Sequence, residues 1–111
     1  GRDVRAVDYS LGLDRMDMFA LGFDGLMKEF DAIITPAATG EAPKGLDSTG
    51  NPVCCTLASF TGMPALTLPL LQGEAGMPLG VQLISRRHDD ARLFRNAQWL
   101  TNHIEAMADE A

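Results

Sequence analysis

The sequence predicts an α/β fold in which a small mixed β-sheet is flanked by helices. Three observations carry that prediction. Two long stretches place apolar residues at three- and four-residue steps, and three short runs are apolar and strand-like. Their order, helix–strand–loop–helix–hairpin–helix, suits helices packed on a sheet. A length of 111 residues leaves room for one domain at most. Hydrophobic residues make up 46% and charged residues 22%, which excludes an intrinsically disordered tail.

The first helix is expected over Asp14 to Phe30, where Met16, Phe19, Ala20, Phe23, Met27 and Phe30 form one apolar stripe read as core. Gly22 and Gly25 each weaken it by about 1 kcal/mol relative to alanine. Ala32-Ile33-Ile34-Thr35, stopped by Pro36, reads as a buried strand. Pro36 to Gly50 is loop, punctuated by Gly40, Pro43 and Gly45, and loops of about fifteen residues tend to be functional or mobile. Asn51-Pro52 starts a second helix, with asparagine as N-cap and proline at its first position; Gly62 ends it. Ala65 to Leu70 reads as a strand placed at an edge or ending at Pro69, which cannot donate to a ladder. Gln72 to Pro78 is a glycine-rich turn into a strand over Leu79 to Ser85, making a hairpin. Asp89 to about Glu110 closes the chain as a helix with acids at its positive end.

Charge and cysteine usage narrow the function classes. Nine Lys and Arg against fifteen Asp and Glu give a net charge of −6, opposite in sign to a nucleic-acid-binding face. No apolar run approaches the ~20 residues that span a bilayer, and the first residues carry no basic-then-apolar leader pattern. Cys54 and Cys55 are adjacent, which fits neither an ordinary disulfide staple nor a C-x-x-C site. They read as two reduced, buried thiols of a cytoplasmic protein.

The catalytic inventory is thin. His88 before Asp89-Asp90 has the composition of a base–carboxylate or metal group, but is read as a loop entering a capped helix. His103 has Met107 at i+4 rather than a second ligand. Ser10, Ser48, Ser59 and Ser85 lack a Gly-x-Ser-x-Gly context, and Lys28 and Lys44 read as solvated. Gly73, Gly76 and Gly80 flank a strand turn instead of opening a phosphate-binding helix.

Three linked stretches carry a family resemblance. Phe30-Asp31-Ala32-Ile33-Ile34-Thr35-Pro36, then Gly62-Met63-Pro64-Ala65-Leu66-Thr67-Leu68-Pro69, then Gly76-Met77-Pro78-Leu79-Gly80-Val81-Gln82-Leu83-Ile84 occur in this order. Together they resemble the C-terminal part of the amidase signature family, as does the loop Gly45-Leu46-Asp47-Ser48-Thr49-Gly50. The ordered set covers roughly Phe30 to Leu100, most of the chain. The resemblance implies the C-terminal portion of that family's mixed sheet flanked by helices, with residues 1–111 an incomplete amidase domain. It also implies amide hydrolysis by a Ser–cis-Ser–Lys triad, in which a positioned base activates a hydroxyl and backbone donors hold the oxyanion. The family's lysine segment and Gly-Gly-Ser-Ser loop have no counterpart in this sequence, so no catalytic residue is carried over.

What carries over is a pocket wall. Family members often show Thr and Asn where this chain has Cys55 and Ser59, so Cys55, Thr56 and Ser59 are the expected substrate-pocket residues. Cys54 and Cys55 are read first as small buried hydrophobes; a thiol nucleophile is the sharper alternative and lacks a visible base. No metal and no cofactor are implied. The expected partner is a small-molecule amide in the whole enzyme, with no nucleic acid and no membrane, and a homodimer stays open. The chain opens at Gly1 rather than Met, in keeping with a segment of a larger enzyme. The alternatives are a non-catalytic amidase-like binding or interaction module, or part of a glutamyl/aspartyl-tRNA amidotransferase A-type subunit.

Overall fold

The computed structural model describes residues 2–110. Helix α1 (Ala6–Leu26) leads to strand β1 (Ile33–Pro36), a long loop, and one 3₁₀ turn (Pro52–Cys55) that continues into helix α2 (Thr56–Thr61). The hairpin strands β2 (Ala65–Gln72) and β3 (Pro78–Ile84) follow, and helix α3 (Asp90–Glu110) closes the chain. The strands form one sheet in the order β1-β3-β2, with both pairings antiparallel. The α/β class expected from the sequence is what the chain adopts.

The sheet is the middle of three layers, and two consecutive residues explain why. Side chains alternate across a strand, so Leu83 and Ile84 of β3 point to opposite faces. Ile84 is fully buried against Met27 and Met63, with Phe23 of α1, Ile33 of β1 and Leu57 and Ala58 of α2 around it. Leu83 packs on Leu93 and Ala97 of α3, with Ala32, Leu66, Leu68 and Leu100 completing that cluster. β3 therefore carries both cores, which its central place in the sheet makes available to it.

Local chemistry accounts for most element ends. Asn51 accepts a hydrogen bond from the Val53 amide at 3.0 Å, and Gly62 ends α2 in the left-handed region at φ 73°. Pro69 lies on an edge strand, where a missing donor costs no ladder bond. The pairing Leu68–Val81 resumes as Leu71–Leu79, so Pro69 and Leu70 together face Gly80 in a bulge.

Three expectations need correction. Strand β1, read as buried, is a sheet edge whose Ile34 side chain is mostly exposed. Helix α1 begins at Ala6, eight residues before Asp14, and ends at Leu26 instead of Phe30. At its start, the Arg5 guanidinium pairs with Asp8 at 2.8 Å in the first turn. At its end, the Lys28 and Glu29 amides donate to the Gly25 and Leu26 carbonyls three residues back, a 3₁₀-type tightening that closes the α-helix. The stripe read as core is also only partly buried: Ala20 and Met27 are inside, but Phe19 and Phe30 are 57% and 55% exposed. Phe19 meets Phe60 of α2 edge-on at 5.6 Å, and among the described residues no further layer covers that side of α1.

The slab is thin, with extents of 56 × 40 × 16 Å. Its radius of gyration is 17.1 Å, against about 13 Å for a compact domain of this length. Its accessible surface is 8398 Å², against about 6,000 Å² for a compact monomer of this size.

An ion pair joins the end of α1 to the segment after β3. Asp24 accepts two hydrogen bonds from the Arg87 guanidinium, one of them at 3.1 Å from Nε. These bonds hold the Asp24 carboxyl below its usual range, against an opposing push from partial desolvation. A carboxyl depressed in the folded chain stabilises the fold above its unfolded pKa of about 3.9, and that contribution is lost as pH falls through the folded value. In thermal melts from pH 7 to pH 2, the gap between the parent chain and Asp24→Asn should be small at neutral pH, because the pair is partly solvated. It should close at the acid end. A gap constant across that range would remove the pair from the acid dependence.

Candidate functional site

The 3₁₀ turn and α2 carry the residues expected to wall a pocket. Cys55 ends the turn, and Thr56 and Ser59 follow on the first turn of α2. One helical turn places positions three and four apart on the same side, so Cys55 and Ser59 fall in line. All three side chains line a single open groove of about 330 Å³, shared with Met16 of α1 and with Pro52 and Phe60. Its wall is small and uncharged: one thiol, two hydroxyls and apolar surface.

The expectation of two buried thiols is corrected here. Cys55 is exposed and Cys54 is half-buried, and both are free. The physical reason is the tight winding of the turn, which sends adjacent side chains in different directions. Cys54 instead lines a second cleft of about 630 Å³, with Thr35, Thr39, Gly40, Leu79 and Gly80.

A buried polar node, bonded to Thr35 and Cys54 of the second cleft, was passed over by sequence reasoning. Gln82 of β3 is 5% exposed. Its Nε2 donates to Thr35 Oγ1 at 2.9 Å and to the Cys54 carbonyl at 2.8 Å. The signal was present in Leu79-Gly80-Val81-Gln82-Leu83-Ile84: alternation puts Gln82 on the same face as Ile84, and a polar group there requires partners.

The long loop is anchored rather than free. Glu41 Oε1 accepts from the backbone amides of Ala75 and Met77 at 2.9 and 3.2 Å, tying the loop to the tip of the β2–β3 hairpin. The loop and the start of β3 border a third hollow of about 460 Å³, whose lining includes Thr39, Glu41, Asn51 and Leu79.

The other titratable and nucleophilic candidates stand apart. Ser85 is fully buried, its hydroxyl donating to the Asp31 carbonyl at 3.3 Å. Ser48 accepts from the Gly50 amide, and Lys28 and Lys44 are exposed. His88 takes φ 62° in the connection to α3, and His103 stacks on Trp99 at 5.1 Å. Among the described residues no group of three or more His, Cys, Asp or Glu converges to hold a metal ion. Nor is any helix among them long and apolar enough to cross a membrane.

The chain is thus a three-layer slab of the α/β class, with an uncharged groove beside a short helix. The chain belongs to the amidase family, whose sequence pattern matches residues 4–94. Its relatives include the A-type subunits of glutamyl-tRNA(Gln) amidotransferases. It is similar to the mitochondrial one of Aedes aegypti, with 30% identity covering 79% of this chain and 20% of that protein. It is likewise similar to that of Cupriavidus necator, 38% identical over 68% of this chain and 16% of that protein. The counterpart in Wolinella succinogenes is 35% identical over 74% of this chain and 20% of its own length. The chain thus spans about a fifth of the length of these curated relatives.

Proposed function

We propose that residues 1–111 are the C-terminal part of an amidase domain, incomplete alone, in an enzyme that hydrolyses carbon–nitrogen amide bonds. In this reading the Ser–cis-Ser–Lys triad lies in other polypeptide of the enzyme. The family match over residues 4–94 carries the proposal. The excess of exposed surface supports it, since a small domain stable by itself would bury more.

The chemistry assigns this segment a supporting role. A serine hydroxyl needs a base to become nucleophilic, and the tetrahedral oxyanion needs preorganised donors. This chain would supply neither; it would shape the cavity that holds the acyl group. Cys55, Thr56 and Ser59 would contact a small-molecule amide, and their neutral, compact side chains suit an uncharged substrate portion. Two free thiols suit the cytoplasm. The net charge of −6 supports neither nucleic acid nor membrane as a partner.

One observation favours a second reading, that the whole protein is an amidotransferase A-type subunit: the similar proteins described above carry that name. Glutamine-dependent ammonia release by a complete enzyme containing this segment would favour it over a stand-alone amidase.

The test uses the 111-residue chain itself. It should turn over no simple aliphatic or aryl amide above background, and it should self-associate in size-exclusion chromatography through its open apolar faces. Turnover that survives repurification and vanishes in Cys55→Ala would show a nucleophile within the chain. A monodisperse monomer that does not associate would count equally against an incomplete domain.

A further inference from the structure

We propose that Gln82 is a positioning residue for the groove of Cys55, Thr56 and Ser59, acting through the Cys54 carbonyl. The role assigned to that groove rests on the amidase reading; the positioning itself rests on geometry.

The groove residues sit on a turn and a short helix, and the other contacts fixing α2 to the sheet are mainly apolar. Leu57 and Ala58 pack against the cluster of Met27, Met63 and Ile84. Such contacts favour burial but have no direction, so they fix neither the rotation nor the height of a short element. Hydrogen bonds do. The two bonds from Gln82 Nε2, at 2.8 Å to the Cys54 carbonyl and 2.9 Å to Thr35 Oγ1, join the turn to the central strand and to β1 at one point. Cys54 immediately precedes Cys55, so whatever fixes the Cys54 carbonyl also fixes the start of the groove wall.

The side-chain type is suited to this. A primary amide presents two donor hydrogens on one nitrogen, one for each acceptor. Gln82 is buried, so water does not readily substitute for a lost bond. Leucine or methionine would pack as well and hold nothing in register.

Alkylation of the two thiols by iodoacetamide, resolved by mass spectrometry, reads the position of the turn directly. In Gln82→Met the rate at half-buried Cys54 should rise about tenfold, the scale expected when a local opening loses one buried hydrogen bond. Cys55 is already exposed, so its rate should stay within about twofold. The loosened groove wall should show as faster amide exchange at Thr56, whose N–H donates to the Val53 carbonyl, while protection in β3 persists, because the opening is local. Thr35→Val, which removes one acceptor and leaves the amide free to turn, should raise the Cys54 rate less. Thr35→Ser should restore it. The Thr35 pair decides the matter if Gln82→Met fails to fold. Equal rises at both thiols with loss of β3 protection would make Gln82 ordinary core packing, and unchanged Cys54 rates in Gln82→Met or Thr35→Val would also overturn the proposal. Failure of the amidase reading would leave these rates untouched, so the two are separable.

Discussion

Ile84→Ala should abolish cooperative unfolding of this chain or shift its urea midpoint far toward zero. Ile84 is fully buried where α1, α2, β1 and β3 meet, and truncating such a side chain costs about 2–5 kcal/mol in transfer and cavity terms. Whole domains are stabilised by only about 5–15 kcal/mol, and the thin slab places this one at the low end. Leu83→Ala should act similarly from the other face, since it removes the contact with Leu93 and Ala97 on α3. Ile34→Ala provides the control on the neighbouring strand: that side chain is 61% exposed and should change the midpoint little. Urea unfolding followed by circular dichroism reads all three. An Ile84→Ala midpoint as mild as that of Ile34→Ala would mean that the two clusters are not the stabilising cores.

Gly80→Val should be nearly as damaging, for a steric reason. A Cβ at Gly80 would overlap the Thr67 methyl group and lie 2.9 Å from Ala37 Cβ. Neither neighbour is the end of a long, adaptable side chain, so the strands must part or the bulge must reshape. Overpacking of this kind costs about 1–3 kcal/mol, and the added valine methyls push toward the upper end. The bulge lies opposite, and the Ala37 amide donates to the Gly80 carbonyl at 2.9 Å, so β1 and the start of the long loop should move as well. Gly40→Ala is the comparison, because a Cβ there would meet nothing within 4 Å and the backbone lies outside the left-handed region. It should be neutral or slightly stabilising. Thermal melts of the two variants decide the point: equal midpoints would show that the strands yield freely at Gly80.

Much of the local structure was legible because short-range chemistry decides it. The Asn51-Pro52 start, the Gly62 stop and the edge position of the Pro69 strand each follow from what one or two residues can donate, accept or sterically allow. The start of α1 was missed because Ala6 to Leu13 carries no strong cap; Arg5 has no side-chain capping bond. Only the family resemblance singled out Cys55, Thr56 and Ser59, which line one groove. Gln82 was not singled out, although its alternation pattern marked it, because a strand's pattern tells which face a side chain takes and not what waits there.

Periodicity, caps and ordered motifs are local properties, and they were enough to establish the α/β class, the amidase family and the types of most elements. Three outcomes were beyond their reach: that β3 is central, that adjacent Cys54 and Cys55 serve different clefts, and that Phe19 of the apolar stripe stays exposed. Each depends on which surfaces meet across the fold. A hydrophobic stripe is buried only where another layer arrives to cover it, and a buried amide is satisfied only where two distant acceptors converge.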